Sequence, residues 1–474
     1  MAMATTTNRH PVPEAQPALA RMRKHLAGPL IEPPDAGYDQ ARAVWNGMVD
    51  RYPLAIARAA TVDDVPIVLE AARETGLPLA VRGGGHSITG LSTVDDGIVL
   101  DLGDLREVVV DPATQLVTVA PGARSADVDA ATAPHRLAIP LGASSLPGVA
   151  GLTLGGGVGW LTRRAGLALD CLERAEVVNA QGEHLVASRE DHPDLFWGLR
   201  GGGGNFGVVT SFTFRAVRLP QTVLGWTLVY APSQWWHALA AFERWARELP
   251  DELSSILTFR AMPEVSGMGE ETCLMIRCVY VGEDPARGTA MLDRLRRTAP
   301  PVHETSGPIS WPQWQSVMDA HFPFGSHGFW RNVAFTRMDE DALGAVLDVA
   351  ERIPGPGHAI DIHHLGGAFA RVPEQATAFP NRTARFWMNI YGAWQESEED
   401  SRGWDLAGHS RVVMERLAER GEYVNFRALE YTRPITDFTR HIYGEEKYRR
   451  LQRVKQRYDP QNLFRGNYNV SPDV

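Results

Sequence analysis

Cysteine and long apolar runs are scarce in this 474-residue sequence, and each scarcity excludes a class of protein. The three cysteines, Cys171, Cys273 and Cys278, are too few and too irregularly spaced for a disulfide framework or a zinc site. We therefore expect no metal site and a reducing compartment. Neither a signal-peptide run nor about 18 uninterrupted apolar residues occurs, so we expect a cytoplasmic protein that does not enter a membrane.

Positive charge is also limited. The chain has 47 basic against 57 acidic residues and a net charge of -10, which leaves no broad basic field for a nucleic-acid backbone. We exclude nucleic acid as a partner and expect a small-molecule substrate. Lysine occurs only at Lys24, Lys447 and Lys455, an arginine bias that is typical of a GC-rich bacterial genome. The sequence leaves the oligomeric state unknown.

The order of secondary-structure patterns predicts an α+β fold. Residues 55–82 show strand, helix and strand, and short β-rich runs follow them. After Pro220 longer strand-like runs alternate with helices, among them 359–365, 385–393 and 422–427. This alternation of long strands and helices predicts one antiparallel sheet backed by helices on one face. The length suggests two or three domains.

Three glycine-rich stretches stand at junctions between predicted elements, at residues 82–87, 151–160 and 201–207. Glycine accepts positive φ and lets another molecule approach the backbone, and successive N–H groups in such loops can bind an anion. Each stretch alone could be an ordinary turn or a close backbone crossing. None matches a Rossmann or Walker pattern. Together they predict an elongated dinucleotide cofactor, with His86 beside its reactive ring.

The motifs carry a family resemblance. Arg-Gly-Gly-Gly-His-Ser at 82–87, Gly-Leu-Thr-Leu-Gly-Gly-Gly-Val-Gly-Trp at 151–160 and Asp-Leu-Phe-Trp-Gly-Leu-Arg-Gly-Gly-Gly-Gly-Asn-Phe-Gly-Val-Val-Thr at 194–210 precede a closing Tyr-Asp-Pro-x-Asn-x-Phe-Arg-x-Asn-x-Asn at 458–469. This order resembles the berberine bridge enzyme-like branch of the vanillyl-alcohol-oxidase flavoproteins, over residues 38–472. The resemblance implies a bipartite PCMH-type FAD-binding domain and a separate substrate domain.

The resemblance also implies a division of the chain. Residues 1–48 would be a lead-in with a helix at about 38–48, and residues 49–219 the FAD-binding domain. Residues 220–430 would form the substrate domain, whose sheet covers the flavin ring. Residues 431–474 would return to the FAD-binding domain.

By the same resemblance, FAD would be joined covalently to His86 through its 8-methyl carbon, a bond that raises the flavin potential. Many relatives have a second link to a cysteine, but Ser144 stands at that position here, so we expect one link. Val149 is a small residue where the family associates small residues with oxygen access, which favours an oxidase. Other family positions that contact FAD are Val81, Arg82, Gly83, Gly84, Gly85, Ser87, Gly151, Thr153, Gly155, Gly157, Gly207, Val209, Asn467 and Asn469.

The sequence offers several candidates for the catalytic base. The family's Tyr-x-Asn-Tyr becomes Tyr423-Val424-Asn425-Phe426, so the second tyrosine has lost its hydroxyl. Strand alternation places Asp361 and His363 on one face of 359–365, towards the predicted cleft or at a solvated rim. Tyr391, on a neighbouring strand, and Tyr423 are further candidates, although Tyr423 could be a structural hydrogen-bonding residue.

These expectations combine into a function. We expect an FAD-dependent oxidase that takes two electrons from a secondary alcohol or sugar hydroxyl, for example of a bacterial secondary metabolite, and passes them to oxygen to give hydrogen peroxide. An oxidative cyclase or a flavin-dependent oxygenase on the same scaffold is the first alternative, because of the lost tyrosine. A flavin-binding protein without turnover is the second.

Overall fold

The chain builds two small β-sheets in its first half and one large sheet in its second half. The computed structural model describes residues 13–262, 271–394, 405–406, 408–410, 413, 417–418, 423–426 and 435–472. Within these ranges no helix has both the length and the apolar character needed to span a bilayer.

The first sheet mixes parallel and antiparallel pairs in the order β1-β2-β4-β3, and β1 is its only antiparallel strand. Helix α3 connects β2 to β3 and buries Val65, Val68 and Leu69 against the sheet, as its apolar spacing requires. The elements are α1 (Gln16–His25), β1 (Leu30–Ile31), α2 (Tyr38–Arg42), β2 (Ala55–Arg58), α3 (Asp64–Thr75), β3 (Leu79–Arg82) and β4 (Ile98–Asp101).

The second sheet is antiparallel, with the order β5-β6-β10-β8-β9, and a two-stranded β7-β11 pair stands beside it. Its apolar face forms a core with the helices around it. The elements are β5 (Val108–Asp111), β6 (Leu116–Val119), α4 (Ser125–Thr132), β7 (Leu137–Ala138), α5 (Val149–Gly155), α6 (Thr162–Ala165), β8 (Leu172–Val178), β9 (His184–Ser188), α7 (Pro193–Leu199), β10 (Val208–Arg215) and β11 (Val217–Arg218).

The third sheet has seven antiparallel strands in the order β15-β12-β14-β13-β17-β18-β16. Ile360 and Ile362 point from β17 into a core with helices α8, α9 and α11, so the opposite face is free for a site. The elements are β12 (Val223–Tyr230), α8 (Trp235–Ala246), β13 (Leu253–Ala261), β14 (Thr272–Tyr280), α9 (Pro285–Thr298), β15 (His303–Ile309), α10 (Trp311–Gln315), β16 (His327–Phe335), α11 (Glu340–Ala350), β17 (His358–His364), α12 (Ala368–Arg371) and β18 (Phe386–Trp394).

The predicted α+β class, with an antiparallel sheet backed by helices on one face, is confirmed. Three local predictions were wrong. The helix expected at 38–48 ends at Arg42, where the next residue is extended, and the second glycine cluster begins inside helix α5. The strand expected at 422–427 is a short 3₁₀ turn at Val424–Phe426 within the described residues 423–426.

The chain ends beside the second sheet. Helix α13 (Ile435–Tyr458), which has a non-helical residue at Gly444, packs against α7 and joins the core of that sheet. The buried ammonium of Lys455 donates to the Asn205 and Phe464 carbonyls at 2.8 and 2.9 Å and to Asp459 at 2.6 Å. These contacts hold the closing motif of the chain against the third glycine cluster.

Candidate functional site

All three glycine clusters meet at one cleft, roofed by the third sheet. Its lining combines main chain of the glycine loops with side chains of that sheet, which suits a dinucleotide together with a substrate. The predicted cofactor residues that line it are Val81, Gly83, Gly84, Gly85, His86, Ser87, Gly151, Gly155, Gly207, Val209 and Asn467.

The first two glycine loops touch through their backbones. A Cβ on Gly84 would lie 2.5 Å from the Cα of Gly148, a distance that no side chain can adopt without moving one loop. Gly85 has φ +67°, in the left-handed region that favours glycine. By contrast, a Cβ on Gly151 or Gly204 would meet no atom within 4 Å. Glycines therefore bring the loops together and leave main chain at the cleft surface.

His86 lies where the first loop meets the roof. Its ring stacks on Trp45, with centroids 4.7 Å apart and planes 16° apart, and its buried Nε2 atom has no hydrogen-bond partner in the described part of the chain. Burial lowers the pKa of His86 to about 4, so the imidazole is neutral at pH 7. A neutral, held imidazole is a nucleophile facing the cleft.

Five predicted cofactor residues do not line the cleft: Arg82, Val149, Thr153, Gly157 and Asn469. The Arg82 guanidinium turns away and donates to the backbone oxygens of Ala41 and Ser92, at 2.5 and 3.2 Å. Val149 is fully buried in the core of the second sheet. Arg82 and Val149 therefore support the glycine loops from the side that faces away from the cleft.

Buried polar atoms test whether the cleft fits FAD. Besides His86 Nε2, the side-chain oxygens of Thr153, Asn467 and Asn469 are buried without a hydrogen-bond partner among the described residues. Such atoms are rare in native proteins, because an unpaired buried polar group costs about 1–3 kcal/mol. Of these residues His86 and Asn467 line the cleft, where a polar cofactor fits their unpaired atoms.

Ser144, at the expected cysteine position, is hydrogen-bonded to the segment between α10 and β16. Its hydroxyl donates to Asp319 Oδ1 at 2.7 Å, the Ser145 N–H donates to the same oxygen at 3.0 Å, and the Ser145 hydroxyl donates to the other oxygen. Gln315 donates to the Gly142 carbonyl at 2.6 Å. Hydrogen bonds thus join the loop before α5 to the segment that carries Met318 and Phe322 into the cleft.

The roof presents Asp361, His363 and Asn389 to the cleft. Thr258 donates to Asp361 Oδ1 at 2.6 Å, and the hydroxyl of Tyr391 also hydrogen-bonds this carboxyl. Burial raises the pKa of Asp361 above its ordinary value, against the opposite effect of these two hydrogen bonds. A buried carboxyl whose pKa is raised is suited to exchange a proton with a substrate.

The other candidate catalytic residues on the roof, His363 and Tyr391, differ from Asp361 in their protonation. Burial lowers the pKa of His363 to about 4, so its ring is neutral at pH 7. Burial and the nearby Asp361 raise the pKa of Tyr391 well above 10, so this phenol stays protonated and donates to Asp361. Tyr391 stacks on Trp330, with ring centroids 5.1 Å apart, but does not itself line the cleft.

Tyr423 is held by the second glycine cluster. Its hydroxyl accepts from the Gly157 N–H at 2.9 Å and from Asn425 Nδ2 at 3.0 Å, and burial raises its pKa. The phenolate is therefore disfavoured, and the contacts match the structural alternative for Tyr423. Phe426 packs edge-on to Tyr423 with ring centroids 4.8 Å apart, and it lines the cleft without an acidic proton.

Sequence reasoning missed four residues of this site: Trp45, Thr258, Asp319 and Asn389. Trp45 donates from Nε1 to the Phe322 carbonyl at 3.0 Å, which ties the N-terminal segment to the roof. No motif marks Trp45, Thr258 or Asp319. Asn389 could have been found, because it shares the alternation of Tyr391 on β18.

Comparisons with known proteins agree with this geometry. Residues 53–188 match a family model described as FAD binding domain, and residues 422–471 match one described as berberine and berberine like. The FAD-linked oxidoreductase YgaK of Bacillus subtilis is 30% identical over 94% of this chain and 97% of its own. Glucooligosaccharide oxidase of Sarocladium strictum is 26% identical over 92% of this chain and 91% of its own.

A solved structure adds three-dimensional agreement. The crystal structure of 6-hydroxy-D-nicotine oxidase from Arthrobacter nicotinovorans superposes with a TM-score of 0.84 at 26% identity, covering 94% of this chain and 98% of the other. The similarity thus extends over nearly the whole chain.

Proposed function

This chain belongs to the berberine bridge enzyme-like family of FAD-linked oxidoreductases, and on that premise we propose that it oxidises a secondary alcohol or sugar hydroxyl with oxygen as the electron acceptor. The relatives named above include oxidases of a sugar and of a nicotine derivative. The products would be a carbonyl compound and hydrogen peroxide.

The proposal includes one covalent bond to the cofactor, from a ring nitrogen of His86 to the 8-methyl carbon of FAD. The neutral, stacked and cleft-facing imidazole supports it. Ser144 cannot form a thioether, and its hydroxyl is bonded to Asp319 instead. FAD, when bound, supplies the two-electron acceptor that no amino-acid side chain provides.

The protein would contribute binding, orientation and proton transfer. The glycine loops and Asn467 would hold the cofactor with backbone and amide groups. Asp361 would accept the hydroxyl proton of the substrate as hydride leaves the adjacent carbon, and Thr258 and Tyr391 would hold its carboxyl in place. His363, neutral at pH 7, would be a hydrogen-bond partner for the substrate.

We also propose the domain division expected from the sequence. Residues 49–219 and 431–474 would form the cofactor domain, and residues 220–430 the substrate domain. The packing of α13 on α7 and the position of the third sheet over the glycine loops support it.

One observation carries the proposal: a buried carboxyl of raised pKa faces the same cleft as His86. The test is oxygen consumption by purified protein with a panel of sugars, cyclic alcohols and hydroxylated heterocycles. We expect hydrogen peroxide in a one-to-one ratio to product, and a product two hydrogens lighter than its substrate. Incorporation of labelled oxygen, or a new ring with no loss of a hydroxyl, would instead support the oxygenase or cyclase alternative.

A further inference from the structure

A row of polar side chains crosses four neighbouring strands on the cleft face of the roof. Strand pairing places Thr258 opposite Asp361, Asp361 opposite Asn389, and Asn389 opposite Asn332. Paired residues on adjacent strands point to the same face, with Cβ atoms about 4.5–5.5 Å apart. The four side chains therefore form one line beneath the sheet.

Both ends of the row bond to the protein itself. Thr258 donates to Asp361 Oδ1 at 2.6 Å. Asn332 Oδ1 accepts from Trp387 Nε1 at 3.0 Å and from the Tyr423 N–H at 3.1 Å, while its Nδ2 donates to the Tyr423 carbonyl at 3.3 Å. These end residues have a structural use that needs no ligand.

The middle of the row is different. Asn389 is 2% exposed and lines the cleft, and its Oδ1 atom is buried without a hydrogen-bond partner in the described chain. A buried carbonyl of this kind costs about 1–3 kcal/mol unless a ligand donates to it. Asp361, its neighbour in the row, is the carboxyl assigned above to the oxidised hydroxyl.

We propose that Asn389 is a specificity-determining residue, whose amide oxygen accepts a hydrogen bond from a second O–H or N–H group of the substrate. This inference rests on the proposed role of Asp361. The separation of paired side chains sets the second donor within about 5 Å of the oxidised hydroxyl. The substrate class is thereby narrowed to vicinal diols and amino alcohols, such as a sugar ring, and lone alcohols are disfavoured.

The test uses matched ring probes: cis-cyclohexane-1,2-diol, 2-methoxycyclohexanol, which lacks the second donor, and cyclohexanol. Binding is read without oxygen, from the concentration dependence of flavin reduction or, for a probe that does not reduce the flavin, from the shift of its absorbance, and turnover is read from oxygen uptake. We expect the wild-type protein to bind the diol at least about 10-fold more tightly than either analogue, which corresponds to about 1.4 kcal/mol. Asn389→Leu should bind all three probes equally.

Met388→Leu is the control, since Met388 is the preceding residue on β18 and points into the opposite core. It should keep the wild-type preference. Asn389→Leu should also unfold at the same temperature as the wild type or higher, because it removes an unpaired polar group. Marked destabilisation would show that Asn389 has a structural role and would overturn the inference.

Equal affinity of the wild-type protein for diol and methyl ether, or a preference that survives Asn389→Leu, would also overturn it. Failure of the proposed function has a different signature. A protein that discriminates among the probes in binding and never consumes oxygen supports the role of Asn389 and contradicts the oxidase.

Discussion

The two walls of the cleft are built by opposite means. The floor consists of glycine loops, where main chain forms much of the surface and few side chains, such as His86, enter the cleft. The roof is a regular sheet, and its polar groups are side chains. Four neighbouring strands supply the row formed by Thr258, Asp361, Asn389 and Asn332. A floor of main chain suits the FAD that the family model describes, and a roof of side chains suits recognition of a substrate.

Removal of the roof carboxyl should have the largest effect. We expect Asp361→Asn to lower kcat by about 10²–10⁴-fold, the usual contribution of a positioned general base, with flavin content unchanged. Stopped-flow reduction of the flavin by substrate measures this. Asp111→Asn, at the exposed end of β5, is the matched control. A variant with normal kcat would show that another group takes the proton.

A methyl group added to a glycine of the floor should lower cofactor binding, without removing a residue that takes part in proton transfer. Gly84→Ala would place Cβ 2.5 Å from Gly148 Cα, so one loop must shift. Overpacking of this kind costs about 1–3 kcal/mol, and we expect a lower flavin-to-protein ratio and a lower unfolding temperature. Gly344→Ala, in α11 with open space around it, should change neither. Full flavin loading of Gly84→Ala would contradict the close contact.

The hydrogen bonds between the walls can be cut separately. Asp319→Ala leaves the Ser144 and Ser145 hydroxyls without their acceptor. We expect a free energy of unfolding lower by about 1–2 kcal/mol and a raised KM, because Met318 and Phe322 lose their anchor. Urea unfolding and steady-state kinetics measure the two effects. An unchanged KM with lowered stability would limit Asp319 to a structural role.

The smallest expected effect is a pH dependence from the roof. The pKa of His363 is about 4 in the folded protein, and about 6.5 in the unfolded chain. The unfolded state thus binds more protons between these values, so stability falls as pH drops through this window. From pH 7.5 to 6 the contribution of His363 to this loss should stay below about 1 kcal/mol, and the buried His86 adds a similar contribution.

His363→Asn should make this slope shallower, which urea unfolding at several pH values would show. A slope that is the same in His363→Asn as in the wild type would contradict the neutral, buried state of His363.

The floor was far more predictable from the sequence than the roof. Close backbone contact and positive φ require glycine, as at Gly84 and Gly85. The loops of the floor can therefore be recognised in the sequence as clusters of glycine. The roof depends on the register between distant strands, and alternation alone placed Asp361 and His363 together but did not reveal Thr258 or Asn389. Tyr423 lies next to a 3₁₀ turn at 424–426, where local strand patterning favoured a strand and loop packing determined the outcome.

The covalent role of His86 is the central claim, and acid precipitation tests it most directly. Wild-type protein should give a yellow pellet whose absorbance survives washing, and His86→Ala should release its flavin into the supernatant. Flavin that leaves the wild-type pellet, or that stays with the pellet of His86→Ala, would contradict the attachment.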